Sequence, residues 1–140
     1  MIPYYPTDAS YRAFKKALDM AKQNHAKITL VKTISYTEGM GLDMSVVMDA
    51  ASSEYNIREF GKILPKLQNE ATLAKVDLHF EILDTHSSSA EVIVEFVSKN
   101  DVDVMILGGT IQKEWKKYFT SDVSQEIRNL NPPCDVILVE

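Results

Sequence analysis

Lys113, Lys116 and Lys117 surround Trp115, with Tyr118 and Phe119 just beyond. Two arrangements satisfy that spacing. The lysines can meet a phosphate while Trp115 stacks on a base, or Trp115 and Phe119 can pack on a sheet and leave the lysines in water. In a chain of net charge −5, three clustered lysines make one local anion-attracting patch. The other chemistry-bearing residues form no constellation. His25, His79 and His86 lack ligand spacing such as i, i+4, and His79 alternates with Leu78 and Phe80 as a structural strand residue would. His86 precedes Ser87-Ser88-Ser89, but there is no Gly-x-Ser-x-Gly nucleophile elbow. Asp84 closes an apolar run as a phospho-acceptor would. That chemistry also needs an acidic pair near the chain start to hold Mg²⁺, and only Asp8 is there. Cys134, after Pro132-Pro133, reads as a small buried hydrophobe, and Met40, Met44 and Met48 as core and adaptable loop. No acid–base pair, nucleophile or metal cluster assembles, so no enzymatic activity is expected.

The composition narrows the classes further. Fifteen Lys and Arg against twenty Asp and Glu leave the chain acidic, a poor match for duplex nucleic acid. No apolar run approaches the ~20 residues of a membrane span. The start of the chain has no basic segment followed by an apolar one, so a secretory signal is not expected. One cysteine excludes an internal disulfide and a cysteine-based metal site. A soluble, cytoplasmic protein with one domain over residues 1–140 is expected.

The elements that must position these residues alternate. Ile28–Ile34, Val76–Leu83, Asp101–Leu107 and Asp135–Val139 read as strands. Two are nearly continuous in apolar residues, which suits strands covered on both faces. Phe14, Ala17, Leu18 and Ala21 mark an amphipathic helix. A second stripe runs from Met44 through Tyr55 and resumes from Leu64 to Ala74, where Pro65 predicts a kink or a new helix start. Ala90, Ile93, Val94 and Val97 mark a third helix, with Ser88 and Glu91 as its capping box. A fourth covers about 123–130, with Asp122 as N-cap and Gln125 three positions on. Ser35–Asp43 reads as a flexible loop. The alternation implies an α/β protein with a parallel sheet and helices on both faces. The first strand is awkward, because Met1–Tyr5 contains Pro3 and proline removes a ladder donor. Either that strand is very short or the sequence starts inside it, and the second is expected.

In this order of elements the chain resembles the universal stress protein family. Ser10–Leu18 resembles its first helix and Ala26–Val31 its second strand. Asp103–Gly109 resembles its fourth strand running into the phosphate loop, and Asn131–Val139 its closing turn and strand. The resemblance covers nearly the whole chain. It implies a three-layer α/β/α domain, Rossmann-like, with one five-stranded parallel sheet in the order 3-2-1-4-5, and often a homodimer. Many members bind ATP through a glycine pattern after the fourth strand: Gly, two residues, Gly, nine residues, Gly, then Ser or Thr. Glycines let the backbone approach phosphates, and the last pair opens a helix whose N-terminus attracts the anion.

On this chain the pattern falls on Gly108, Ile111, Ser121 and Asp122, so one of three glycines remains. Starting from Gly109 places Gln112, Asp122 and Val123 there instead. Asp122 would repel a triphosphate, and like charges ~4 Å apart cost on the order of 1–4 kcal/mol in partly solvated surroundings. The family's other determinant is an Asp at the end of the first strand, near ribose and adenine. Counting back without a gap puts Tyr5 there and Pro3 on the preceding proline, whereas a three-residue deletion would supply Asp8. The ungapped register is preferred. With Thr33 on the second strand and Thr110 in the loop, these are the nucleotide-site positions that the resemblance implies.

The first reading is therefore a non-catalytic, homodimeric stress-response protein of a branch with a degenerate ATP motif, without a cofactor, a membrane or a nucleic acid. It would act through an unidentified protein partner or another small ligand. The alternative is a weak ATP or AMP module using Gly108, Gly109, Thr110 and the Lys113–Lys117 loop. Unpaired groups on an edge strand 135–139 need cover, and antiparallel pairing with a second copy would supply it.

Overall fold

The described residues of the computed structural model are 1–35, 44–85, 88–109 and 123–140. Along them the chain forms β1 (Ile2–Pro3), α1 (Asp8–Asn24), β2 (Ile28–Ser35), α2 (Met44–Leu73) and β3 (Leu78–Thr85). It continues as α3 (Ser89–Lys99), β4 (Val104–Gly108), α4 (Val123–Asn129) and β5 (Asp135–Val139). The strand–helix alternation follows from the residue types: β-branched runs with period two, then apolar stripes with a helical period. Helix α2 runs through Pro65 as one element, so no new helix starts there.

The strands do not form one five-stranded sheet in the order 3-2-1-4-5. They form two parallel sheets, β1-β2-β3 and β4-β5. The break has a local cause. The Met1 nitrogen donates to Val104 O at 2.8 Å, and Ile106 N donates to Met1 O at 3.0 Å. Tyr4 N turns the other way and donates to Val31 O at 2.9 Å. The next donor on the β4 side of β1 would be the nitrogen of Pro3, which carries no hydrogen. Two bonds therefore form between β1 and β4 without becoming a ladder.

Helices cover both faces. On one, Phe14, Ala17 and Leu18 of α1 and Phe60, Leu67 and Ala71 of α2 pack on Ile2, Tyr4, Leu30 and Ile106. On the other, Ala90, Ile93 and Val97 of α3 and Ile127 of α4 pack on Val31, Met105 and Leu107. Neighbours such as Leu30 and Val31 face opposite layers, as the two-residue strand period requires. Packing across both sheets, α1 joins them. Tyr11 Oη donates to Glu70 Oε1 at 2.7 Å, which ties α1 to α2. Among the described residues no helix is long and apolar enough to cross a membrane.

Candidate functional site

Parallel strands place all their carboxyl ends on one side, and helices enter there by their N-termini. Such an end collects partial positive charge from unpaired N–H groups. Two of these N-termini are fixed by hydroxyls. Thr7 Oγ1 accepts from Ser10 N at 3.2 Å at the head of α1. Ser88 Oγ accepts from Ala90 N at 3.1 Å and Glu91 N at 3.4 Å at the head of α3. The expected Ser88 cap is present.

Tyr5 lies just past β1, at this carboxyl end, and its backbone N–H donates to Ser10 Oγ at 3.1 Å. Its hydroxyl lies 3.4 Å from Thr33 Oγ1, which donates to Ser89 Oγ at 3.2 Å. Residues from the segment after the first strand, the second strand and the third helix thus share one hydroxyl chain. Over the Tyr5 ring, 5.1 Å from its centroid, stands the ammonium of Lys32. Lys32 is only 4% exposed. Burial lowers its pKa, and burial also raises that of Tyr5, with the Thr33 and Ser89 hydroxyls opposing the Tyr5 shift. Thr85, on the same face as Thr33 by strand register, has a buried Oγ1 with no hydrogen-bond partner among the described residues.

The sequence-derived positions divide into three groups. Tyr5 and Thr33 meet, with Pro3 buried beside them and paired with Val31. Asp8 is instead the exposed first residue of α1, outside the hydroxyl chain. Gly108 ends β4 against α1, where an added Cβ would stand 2.5 Å from the Ala9 carbonyl carbon and 2.7 Å from Ser10 N. That contact is reason enough for a glycine. Gly109 N donates to Val139 O at 2.8 Å, and an added Cβ would meet Leu138 Cδ1 at 3.0 Å. Val123 is half-buried and packs toward the α3–α4 layer. Thr110, Ile111, Ser121, Asp122, the lysines around Trp115, and His86 lie outside the described residues.

Lys32 was missed from sequence. It is the one charged residue in the run Ile28–Ile34, which was the available signal, and nothing local shows that it is buried.

An open depression of about 1150 Å³ lies at the opposite, amino end of the strands, lined by Met20, His25, Lys27, Lys75, Asp101 and Val104 among others. Helices leave the sheet there, and α1 ends at His25 in a left-handed cap. Helix C-termini carry partial negative charge, which disfavours an anionic ligand. Among the described residues no group of His, Cys, Asp and Glu could hold a metal ion.

Known proteins share this fold. A universal stress protein of Methanocaldococcus jannaschii is 26% identical over 140 residues, covering 100% of this chain and 80% of that protein. A universal stress protein solved in complex with cAMP superposes with a TM-score of 0.66 at 16% identity, covering 99% of this chain and 94% of its own. A family protein from Arabidopsis thaliana solved with AMP bound gives 0.54 at 18% identity, covering 93% and 76%. The family model described as "Universal stress protein family" matches residues 1–140. The chain belongs to the universal stress protein family.

Proposed function

We propose that the chain is a non-catalytic, homodimeric module, one domain over residues 1–140, that binds an adenine nucleotide weakly at the carboxyl end of its strands. Universal stress proteins are generally non-catalytic stress-response modules. The observation that carries the reading is the Tyr5–Thr33–Ser89 hydroxyl chain beside the buried Lys32. In open α/β sheets, ligands bind outside the carboxyl ends of the strands. Tyr5 offers an aromatic face and the hydroxyls offer donors and acceptors, which are the groups a nucleoside needs. The relatives solved with cAMP and AMP support a monophosphate in place of the cofactor-free reading first drawn from the glycine pattern.

A triphosphate fits this chain less well. Gly108 is required by the α1 contact and the other pattern glycines are absent, which supports a degenerate branch of the family. A thermal-shift titration with AMP, ADP and Mg-ATP tests this. A ligand at 100 times its dissociation constant adds roughly 2.7 kcal/mol. AMP raising the melting temperature at least as far as ATP supports the reading, and no shift with any of the three at millimolar concentration overturns it.

The homodimer reading rests on β5. Its neighbour across the ladder is β4, and Val136, Ile137, Leu138 and Val139 remain partly or largely exposed. By contrast β3 carries exposed Glu81 and Asp84, and such charges protect an edge from pairing. A second copy laid antiparallel on β5 satisfies both its backbone and its apolar side chains.

A further inference from the structure

We propose that the Tyr5 hydroxyl is an internal stand-in for a ligand hydroxyl: it holds the place on Thr33 that a ribose hydroxyl takes, and so sets how tightly the site binds a ribonucleotide. The inference deepens the nucleotide reading and rests on it for the ligand.

The backbone and the side chain of Tyr5 are held very differently. Its N–H donates to Ser10 Oγ at 3.1 Å, and its carbonyl accepts from Thr7 N at 2.7 Å. Ser10 is itself buried and accepts from Thr7 Oγ1 at 3.2 Å. The turn from β1 into α1 is therefore fixed by bonds on both sides of Tyr5. The hydroxyl has a weaker hold, because its 3.4 Å contact with Thr33 Oγ1 is long for a bond between two oxygens. The Lys32 ammonium stands 5.1 Å from the ring centroid, toward the outer part of the range for such a contact. Rotation about the side-chain bonds breaks both contacts and leaves the turn in place.

The position that this rotation uncovers selects for a donor. Thr33 Oγ1 donates to Ser89 Oγ at 3.2 Å, so its proton is engaged and its lone pairs accept. An ionised phosphate or carboxylate oxygen has no proton to give, whereas an alcohol has. On an adenine nucleotide the adenine amine and the ribose hydroxyls can donate. A ribose hydroxyl is the closer match, being an O–H on carbon like the group it replaces. Tyr5, Thr33 and Ser89 are each half-buried, so the position is neither sealed nor fully open to water.

Binding to wild type then exchanges one O–H···O bond for another, which gains little. In Tyr5→Phe the ring and its Lys32 contact stay, the Thr33 oxygen is unclaimed, and the ribose hydroxyl gains a whole bond. The test is calorimetric titration of the full chain with AMP and with dideoxy-AMP, which lacks both free ribose hydroxyls. Wild type, Tyr5→Phe and the double variant Tyr5→Phe with Thr33→Val are compared. Tyr5→Phe should bind AMP roughly three- to tenfold more tightly than wild type, the worth of one net hydrogen bond. Its affinity for dideoxy-AMP should match that of wild type. Adding Thr33→Val should abolish the gain for AMP, because the accepting oxygen is gone.

AMP binding to Tyr5→Phe no tighter than to wild type would overturn the proposal. An equal gain for both ligands, or a gain that survives Thr33→Val, would overturn it too. In each of these cases wild type still binds AMP and the nucleotide reading stands. No binding of either ligand to any of the three proteins up to ~10 mM rejects the nucleotide reading and the proposal together. AMP binding by Tyr5→Phe without binding by wild type keeps the proposal and rejects nucleotide binding by the native chain. Tyr5→Phe loses one long contact, so its unliganded melting temperature should stay close to that of wild type, which separates a change in binding from a change in fold.

Discussion

Gly108 at the end of β4 lies against Ala9 in the first turn of α1, so close that a Cβ on Gly108 would stand 2.5 Å from the Ala9 carbonyl carbon. Both sides of this contact are backbone, and backbone cannot rotate away. Gly108→Ala should therefore cost about 1–3 kcal/mol by overpacking. Gly61 makes the opposite case: it is exposed within α2, and an added Cβ meets nothing within 4 Å. Gly61→Ala should gain up to ~1 kcal/mol from helix propensity. Urea denaturation of both variants checks the pair. Gly108→Ala at wild-type stability would contradict the close approach.

Much of the fold was legible because it is written in local periodicity. Ile28–Ile34 and Asp135–Val139 are strands within one residue of their observed limits, and Ser88 caps α3 as its spacing with Glu91 suggested. Pro3 was visible as a fault in the first strand. Its consequence, two sheets in place of one, depends on which side of β1 each N–H faces, and composition does not show that. The site was less legible. Tyr5, Thr33 and Ser89 are 28 and 56 residues apart, so only topology joins them. Lys32 reads as an ordinary strand residue until its burial is known. The packing demand on Gly108 was not legible either, because sequence shows its type and not its neighbour Ala9.

Ser88 satisfies two orphan N–H groups of α3 and also donates to Glu126, linking α3 to α4. Ser88→Ala should cost about 1 kcal/mol, the usual loss for an N-cap hydroxyl. Ser88→Asp keeps an acceptor at the cap but sets it against Glu126, so it should recover only part of that stability. Thermal unfolding of the two variants compares them. No difference between Ser88→Ala and wild type would show the cap to be idle.

Tyr4 is buried, with its ring 5.7 Å edge-on from that of Phe60. Burial of its hydroxyl pushes its pKa up to about 12, with Tyr11 and Glu70 adding to the shift. A pKa higher in the folded state than in the unfolded state favours folding of the neutral form. The contribution is complete below pH ~10 and is lost as pH rises from there through about 12. A two-unit shift corresponds to roughly 2–3 kcal/mol. Tyr4→Phe should flatten the alkaline fall in stability, measured as unfolding free energy from pH 9 to 12. An unchanged slope would contradict the assignment to Tyr4.

Leu138 stands 39% exposed on β5, the strand proposed to pair between copies. Light scattering at tens of micromolar should give about twice the 15.8 kDa chain mass. Leu138→Lys should shift the population toward monomer, since Lys guards an edge strand against pairing. A monomer mass for wild type would sink the dimer.

The most direct measurement of the central claim is an amide chemical-shift titration of the full chain with AMP. Binding at the carboxyl end predicts saturable shifts at Tyr5, Thr7–Ser10, Lys32–Ile34, Ser88–Glu91 and Gly108–Gly109. The amides of Lys22–Ile28, Lys75–Asp77 and Asp101–Val104, around the amino-end depression, should stay still. Shifts confined to that depression, or none up to ~10 mM where a millimolar complex would be mostly formed, would contradict the account.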